Sequence, residues 1–339
     1  MKKRVFIAYV GGTIGMRRAA QGYVPEAGLA ELLAQMAAPS MAADMPEYTL
    51  HECSRLMDSA NLQPQDWYRI AGLVIDQYAD YDGFLVLHGT DTMAYTAAGL
   101  SFVLQGLGKP VIVTGSQIPL REMRNDARNN LVTALILAAQ YPVPEVCLYF
   151  NGQLLRGNRA TKVKGEALDA FDSPNYPPLA KVGINIEINR GAILRLDHGE
   201  RFQLPAEADT RVAVLKLFPG LTARLLSKVL EPPLKGLILE CYGIGSGPIE
   251  TPGFLDALTV AVQRGVTLAA VSQCRESRVD LGKYAVGSAL AQAGVLGGFD
   301  MTTEAAYTKL VHLLSLGLPT AEVRRCMRMS LCGECTVSD

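Results

Sequence analysis

The sequence predicts an α/β protein. An N-terminal, mostly parallel, Rossmann-like sheet carries helices on both faces, and a smaller C-terminal α/β domain follows. Three observations predict this. Short runs of Val, Ile, Leu and aromatic residues alternate with helix-length segments through the first half of the chain. A stretch containing SPNYPP breaks the pattern from Phe171 to about Asp209. The alternation then resumes. Continuous apolar strands between helices argue for a parallel sheet buried on both faces.

The elements follow in order. Val5–Val10, Tyr48–Cys53, Gly83–His88, Pro110–Thr114 and Glu145–Phe150 read as strands. Gln65–Tyr78 reads as a helix, because Trp67, Ile70, Ala71, Val74 and Tyr78 fall on one stripe and Pro64 can open its first turn. Thr92–Gln105 and Asn125–Gln140 are also helix-length. In the second half, Val212–Leu217, Gly236–Glu240 and Val266–Val271 read as strands, and Leu221–Leu230 and Thr251–Arg264 as helices. Helical segments are expected to fill the region from Lys283 to Met329. The expected division is therefore an N-terminal domain over 1–190, a linker over 191–211 and a C-terminal domain over 212–339.

Composition narrows the function. The chain has 339 residues, about half of them hydrophobic, and a formal net charge of −1. That is enough chain for two cores, and no strong field favours nucleic acid or an anionic membrane. No apolar run is long enough to span a bilayer. The start Lys2-Lys3-Arg4 looks like that of a signal peptide, but GGT interrupts the apolar run before any cleavage site, so we read it as the first strand of a cytoplasmic protein. Seven scattered cysteines make poor material for a disulfide framework. Cys332 and Cys335 form a CGEC with Cys326 nearby, but no second pair and no histidine accompanies them, so the expectation is a mobile tail with free thiols and no metal.

Ligands of open α/β sheets bind beyond the carboxyl ends of the strands. Three loops there stand out: GGTIG, HGTDT and TGSQIP. The spacing of Gly11, Gly12 and Gly15 is wrong for a dinucleotide fingerprint, and Glu52 is the one acidic candidate for a ribose, which argues against a nicotinamide dehydrogenase. GGTIG alone reads as a tight turn, or as a hydroxyl presented between glycines. In HGTDT, Thr92 is expected to cap the following helix, leaving Thr90 and Asp91 at the ligand edge. A threonine hydroxyl needs a neighbour to take its proton. His51, His88, His198 and His312 are the available histidines, and His88 lies at the sheet edge. Lys162, in RGNRATKV, is the lysine route and reads as one lysine among many.

GGTIG, QGY, MDS, LHGTDTMAYTA, TGSQIPL, RGNRATK and DAFDSPNYPPL, all in this order, resemble the bacterial L-asparaginases, most closely their cytoplasmic, type I branch. The resemblance covers Arg4 to about Glu334 and implies roles for individual residues. Thr13 matches the nucleophilic threonine, and Tyr23 the tyrosine that hydrogen-bonds it. Thr90, Asp91 and Lys162 match a Thr-Lys-Asp relay. Ser59 matches the holder of the substrate's α-carboxylate, and Ser116 the position whose backbone carbonyl receives the amide nitrogen. The implied substrate-binding set is Gly12, Asp58, Ser59, Ala60, Gly89 and Ser116. The implied reaction hydrolyses asparagine to aspartate and ammonia through an aspartyl-threonine intermediate, without cofactor or metal. Thr13 is the expected nucleophile, with Thr90 and direct attack by water left open. Asp91 beside Lys162 favours the ammonium form, which weakens it as a base, so the lysine acts as a base only against desolvation, or else polarises Thr90.

The chain also departs from its relatives. Periplasmic members carry a glutamine where Ala60 stands, and lend an Asn and a Glu from a neighbouring subunit; here the matching turn is GIGSG with Ser246, and the glutamate has no clear counterpart. Some cytoplasmic members carry a second, regulatory asparagine pocket. The matching positions here are Glu240 in LECYG and Ser272, Gln273 and Cys274 in VSQC. Glu240 replaces a cation and would repel the effector's carboxylate, so weakened activation is expected. The family further implies a homotetramer built as a dimer of dimers. Three rivals stay open: a mixed glutaminase-asparaginase, a tRNA-dependent amidotransferase subunit, and a non-catalytic asparagine sensor. The amidotransferase is disfavoured because a first strand at Val5 leaves no room for an N-terminal extension.

Overall fold

The structure is a computed structural model that describes residues 2–20, 22–36, 45–195 and 199–337. His198 and Gln21 therefore lie outside the described residues. The chain folds as two units, Met1–Leu204 and Pro205–Asp339.

In the first unit the elements run β1 (Arg4–Gly11), β2 (Arg17–Ala19), β3 (Gly22–Val24), α1 (Leu29–Met36), β4 (Glu47–Met57), α2 (Pro64–Asp76), β5 (Gly83–Leu87), α3 (Met93–Val103), β6 (Leu104–Gln105) and β7 (Val111–Thr114). They continue with α4 (Ala127–Gln140), β8 (Val146–Phe150), β9 (Gln153–Arg156), β10 (Thr161–Lys162), β11 (Phe171–Asp172), β12 (Ala180–Val182), β13 (Ile186–Ile188) and β14 (Arg201–Phe202). One eight-stranded sheet has the order β13-β12-β9-β8-β7-β5-β1-β4. From β4 to β8 every pair is parallel; β9, β12 and β13 extend the sheet antiparallel. Strands β5, β7 and β8 are buried along their whole length, as their unbroken apolar sequences require. Val5, Ile7, Tyr9, Leu85 and Leu87 pack against Leu29 and Leu33 of α1 and Leu131, Ala134 and Leu135 of α4.

The parallel core positions the site. After β1 the chain passes to β4 on one side, then crosses back over β1 to β5, β7 and β8 on the other. The strand order therefore reverses between β1 and β5, and a crevice opens there at the carboxyl ends. The segment expected to be irregular from Phe171 builds β11 to β14 instead. Within the expected linker, Arg156 donates to the carbonyl of Ala192, and the N–H of Leu194 donates to Glu145. These contacts hold that part of the segment on the first unit.

The second unit contains β15 (Val212–Lys216), α5 (Ala223–Val229), β16 (Gly236–Cys241), α6 (Phe254–Gln263), β17 (Thr267–Ser272), α7 (Ala285–Gln292), β18 (Leu296–Gly297), α8 (Thr303–Ser315) and α9 (Thr320–Met327). Its sheet is parallel, in the order β15-β16-β17-β18. The short strand β18 interrupts the stretch read as helical: at two residues it is too brief to show a period. The expected mobile tail is packed. Lys309 and Glu334 form an ion pair of 2.6 Å with both side chains fully buried. The N–H groups of Leu331 and Cys332 donate to the Glu334 carboxylate, and Cys326, Cys332 and Cys335 are buried. Burial pushes the Glu334 carboxyl up, but the Lys309 charge and these donors outweigh it and hold it below its ordinary range. Lys309→Met should strand a buried anion and cost about 3–5 kcal/mol of stability. Urea unfolding measures this, and a loss below about 1 kcal/mol would show that the pair contributes little.

Candidate active site

Four loops meet where β4, β1, β5 and β7 end. The pairing of β1 with β4 slips between Tyr9 and Gly11, and past the slip the Gly12 N–H donates to the carbonyl of Met57 at 3.1 Å. Gly12 has φ 90°, and a Cβ there would stand 2.2 Å from the Gly89 nitrogen. The glycine before Thr13 thus packs against the glycine before Thr90, and side chains at either position would separate the two threonines. Thr13 opens a single 3-10 turn, Thr13–Gly15, and is half-buried. Among the described residues its hydroxyl makes no hydrogen bond.

The β4 end presents Ser59 on a second 3-10 turn, Ser59–Asn61. The Asp58 carboxylate caps that turn, accepting the Ala60 N–H at 3.1 Å. Ser59 is buried, and its Oγ accepts the Asp91 N–H at 3.2 Å. Thr92, expected to cap α3, instead sends its hydroxyl to the carbonyl of Ser59 at 2.7 Å and ties the two loops together. A Cβ on Gly89 would lie 2.5 Å from Ser59 Oγ, so only glycine fits that approach.

Lys162, on β10, reaches this loop through the pairing of β10 with β11. Its Nζ donates to Thr90 Oγ1 at 2.9 Å and to Asp91 Oδ1 at 2.6 Å. The lysine side chain is 20% exposed and the aspartate 61%. Thr90 in turn donates its hydroxyl hydrogen to Gln117 Oε1 at 3.1 Å. Gln117 is held in that orientation because its Nε2 donates to the carbonyls of Gly165 and Ala167, each at 3.0 Å. Reading by reactive residue types passed over Gln117, since a glutamine carries no titratable group; its place beside Ser116 in TGSQIP was the available signal. Asp126 was passed over as well. Its carboxylate accepts the N–H groups of Gln117 and Ile118, both at 2.9 Å, and shapes the loop after β7. Ser116 is fully buried there.

Other candidates lie elsewhere. His88 is fully buried beneath the loop, its Nδ1–H donating to the Gly89 carbonyl at 2.7 Å and its Nε2 accepting from Thr96 at 2.9 Å. Burial lowers it to about 4. Neutral and with both nitrogens engaged, it is not placed to take a proton from either threonine. Glu52, the ribose candidate, accepts N–H groups of Gly28 and Leu29 at the start of α1, where its charge complements the helix end. Tyr23, on the β2–β3 hairpin, donates its hydroxyl to Glu122 at 2.9 Å, and among the described residues no hydrogen bond joins it to Thr13 as the resemblance implied.

In the second unit, Glu240 accepts the Thr303 hydroxyl at 2.7 Å. The amide nitrogen of Gln273 donates to the carbonyls of Leu217 and Glu240 at 2.6 and 2.7 Å. Ser272 donates to the Gly243 carbonyl and accepts the Cys274 N–H. Ser246 closes a turn with Tyr242. Among the described residues, no group of His, Cys, Asp and Glu could hold a metal ion, and no helix is long and apolar enough to cross a membrane.

Comparison with known proteins identifies the family. The sequence-family models described as "Asparaginase, N-terminal" and "Glutaminase/Asparaginase C-terminal domain" match residues 4–194 and 211–327. The chain is 47% identical to L-asparaginase 1 of Escherichia coli (strain K12) over 338 residues, which is 100% of this chain and 99% of that one. The crystal structure of L-asparaginase I from Vibrio cholerae O1 biovar eltor superposes with a TM-score of 0.91 at 43% identity, over 99% of this chain and 100% of that chain. The thermostable L-asparaginase of Thermococcus kodakarensis superposes with a TM-score of 0.89 at 31% identity, again over 99% and 100%. With both halves of the family pattern matched and a threonine, lysine and aspartate joined at the crevice, the chain belongs to the asparaginase family of amidohydrolases.

Proposed function

We propose that the protein hydrolyses L-asparagine to L-aspartate and ammonia, with Thr13 as nucleophile. The observation that carries this reading is the Lys162 ammonium bridging the Thr90 hydroxyl and the Asp91 carboxylate at the reversal of strand order. Asp91 is exposed enough to meet an α-ammonium, and the turn bearing Ser59 offers a hydroxyl to an α-carboxylate. The two charged ends of a free amino acid would then hold its side-chain amide over the threonines.

Thr13 is the better nucleophile on hydrogen-bonding grounds. The Thr90 hydrogen points to Gln117 and one of its lone pairs is taken by Lys162, whereas the Thr13 hydroxyl is uncommitted. Attack by Thr13 Oγ1 on the amide carbon forms the ester; the nitrogen leaves as ammonia with the Thr13 proton. Water then cleaves the ester, returning a proton to Thr13 and releasing aspartate. Lys162 polarises Thr90, which orients that water. The Gly12 N–H is committed to Met57, so the N–H groups of Thr13 and Thr90 are the donors we assign to the developing oxyanion.

Ammonia release from asparagine and from glutamine tests the reading. Asparagine should be preferred by about 10–200-fold in kcat/KM, the worth of one methylene in a fitted pocket. Asparagine that binds without releasing ammonia would make the protein a sensor. The saturation curve should be hyperbolic, because Glu240 would repel an effector carboxylate and already accepts from Thr303. A sigmoidal curve would contradict that. The family reading also makes the protein a homotetramer, supported by Phe218, Leu225 and Val260 standing exposed in the second unit.

A further inference from the structure

We propose that Gln117 is a positioning residue for this hydrolysis: by taking the hydrogen of the Thr90 hydroxyl, it fixes that hydroxyl as an acceptor, both for Lys162 and for the water that cleaves the ester. The inference rests on the assignment of Lys162 and Thr90 to that water and deepens it.

The direction of each bond follows from what the groups can do. A glutamine side chain has an oxygen that only accepts and a nitrogen that only donates. The neighbours of Gln117 tell its two amide ends apart. Nε2 faces the carbonyl oxygens of Gly165 and Ala167, each at 3.0 Å, and a carbonyl can only accept. The end that faces Thr90 is therefore Oε1, and at 3.1 Å it takes the hydroxyl hydrogen. An ammonium has three donors and no acceptor, so Lys162, at 2.9 Å, occupies one lone pair of the Thr90 oxygen. One lone pair is left. Thr90 has no hydrogen to give to Lys162, and a third group that meets it must be a donor.

Gln117 is itself held through its main chain and its side chain. Its N–H and that of Ile118 donate to the Asp126 carboxylate, both at 2.9 Å. Asn130 Nδ2 joins that carboxylate, at 3.2 Å, to the Gly115 carbonyl, at 2.9 Å. Gly165 and Ala167 lie between β10 and β11, where the Val163 N–H donates to the Ala170 carbonyl at 2.8 Å. Gln117 thus ties the loop after β7 to the hairpin that carries Lys162, and it orients the hydroxyl that Lys162 contacts. Without the amide, the Thr90 hydroxyl could swing its hydrogen into the place the water needs. The water would then meet a donor, which draws on the lone pair it attacks with. With Gln117 in place, one water hydrogen rests on Thr90 while the water oxygen bonds to the ester carbon. The other hydrogen passes to the departing Thr13 oxygen, and the new carboxyl gives its remaining proton to solvent.

The test uses the full chain, with ammonia release from asparagine as readout, and compares native protein, Gln117→Met, Gln117→Glu and Lys162→Met. Ester cleavage contributes to kcat but not to kcat/KM, which reports the steps up to the loss of ammonia. Gln117→Met should lower kcat by about 10–100-fold, the effect of a misplaced group beside the reacting atoms, with kcat/KM within about threefold of native. Gln117→Glu keeps the size of the side chain, which guards the fold. It should show the same split, because an anion facing two carbonyl oxygens turns away and frees the Thr90 hydrogen. Hydroxylamine is a stronger nucleophile than water and depends less on an oriented Thr90, so it should raise ammonia release by these variants at least about fivefold more than by native protein. A folded Gln117 variant with native kcat overturns the proposal. So does a kcat/KM that falls as far as kcat, which would mean a general loosening of the site. Lys162→Met separates the two claims. If its kcat/KM falls with its kcat, the assignment of Lys162 to the water and this inference fail together; a preserved kcat/KM there, beside native kcat in Gln117→Met, overturns the inference alone.

Discussion

Thr13→Ala protein should bind asparagine with nearly native affinity and release ammonia about 10⁴–10⁶-fold more slowly, the range seen when a covalent nucleophile is removed from a preformed site. Affinity should survive because the groups assigned to the substrate's charged ends, Asp91 and Ser59, are held by bonds that do not involve the Thr13 side chain. Ser59 is fixed by the Asp91 N–H and its own carbonyl by Thr92. The fold should survive as well, since the half-buried Thr13 hydroxyl makes no hydrogen bond among the described residues. Binding measured by calorimetry and turnover measured by ammonia release separate the two effects. Release within tenfold of native would move the chemistry to Thr90 or to water.

Lys162→Met should lower kcat by about 10²–10⁴-fold, the range of a positioned proton-handling group. Methionine keeps the length of the stem and removes the ammonium, so the loss reports on the bridge between Thr90 and Asp91. Because this bridge is assigned to the water that cleaves the ester, the second half of the reaction should slow more than the first, and the acyl-enzyme should accumulate as a burst. Slowing without a burst would place Lys162 in the first half instead.

The strands of the parallel core were legible because each is a continuous apolar run. Val5–Val10 and Gly83–His88 emerge as Arg4–Gly11 and Gly83–Leu87. The resulting strand order puts GGTIG and HGTDT at the crevice, as the strand-end reading expected. What the sequence hid depends on distant partners. Helix α1 is organised by Glu52, more than twenty residues along the chain, and the short strands β2, β3 and β18 carry too few residues for a period. The CGEC segment looked like a loose tail because the lysine that draws Glu334 inward lies within α8. Lys162 was one lysine among many until a resemblance singled it out, because the pairing of β10 with β11 and the reach to Asp91 are invisible in a local window. Thr92 reads as a cap by residue type, and the Ser59 carbonyl on the turn after β4 proves the better partner for its hydroxyl.

The most direct test of Thr13 as the attacking group is to trap the ester. Lys162→Met protein mixed with asparagine, quenched in acid during the burst and digested, should show the mass of one aspartyl group on the peptide spanning residues 5–17, which contains Thr13. The same mass on the peptide that contains Thr90, with residues 5–17 unmodified, would contradict the account.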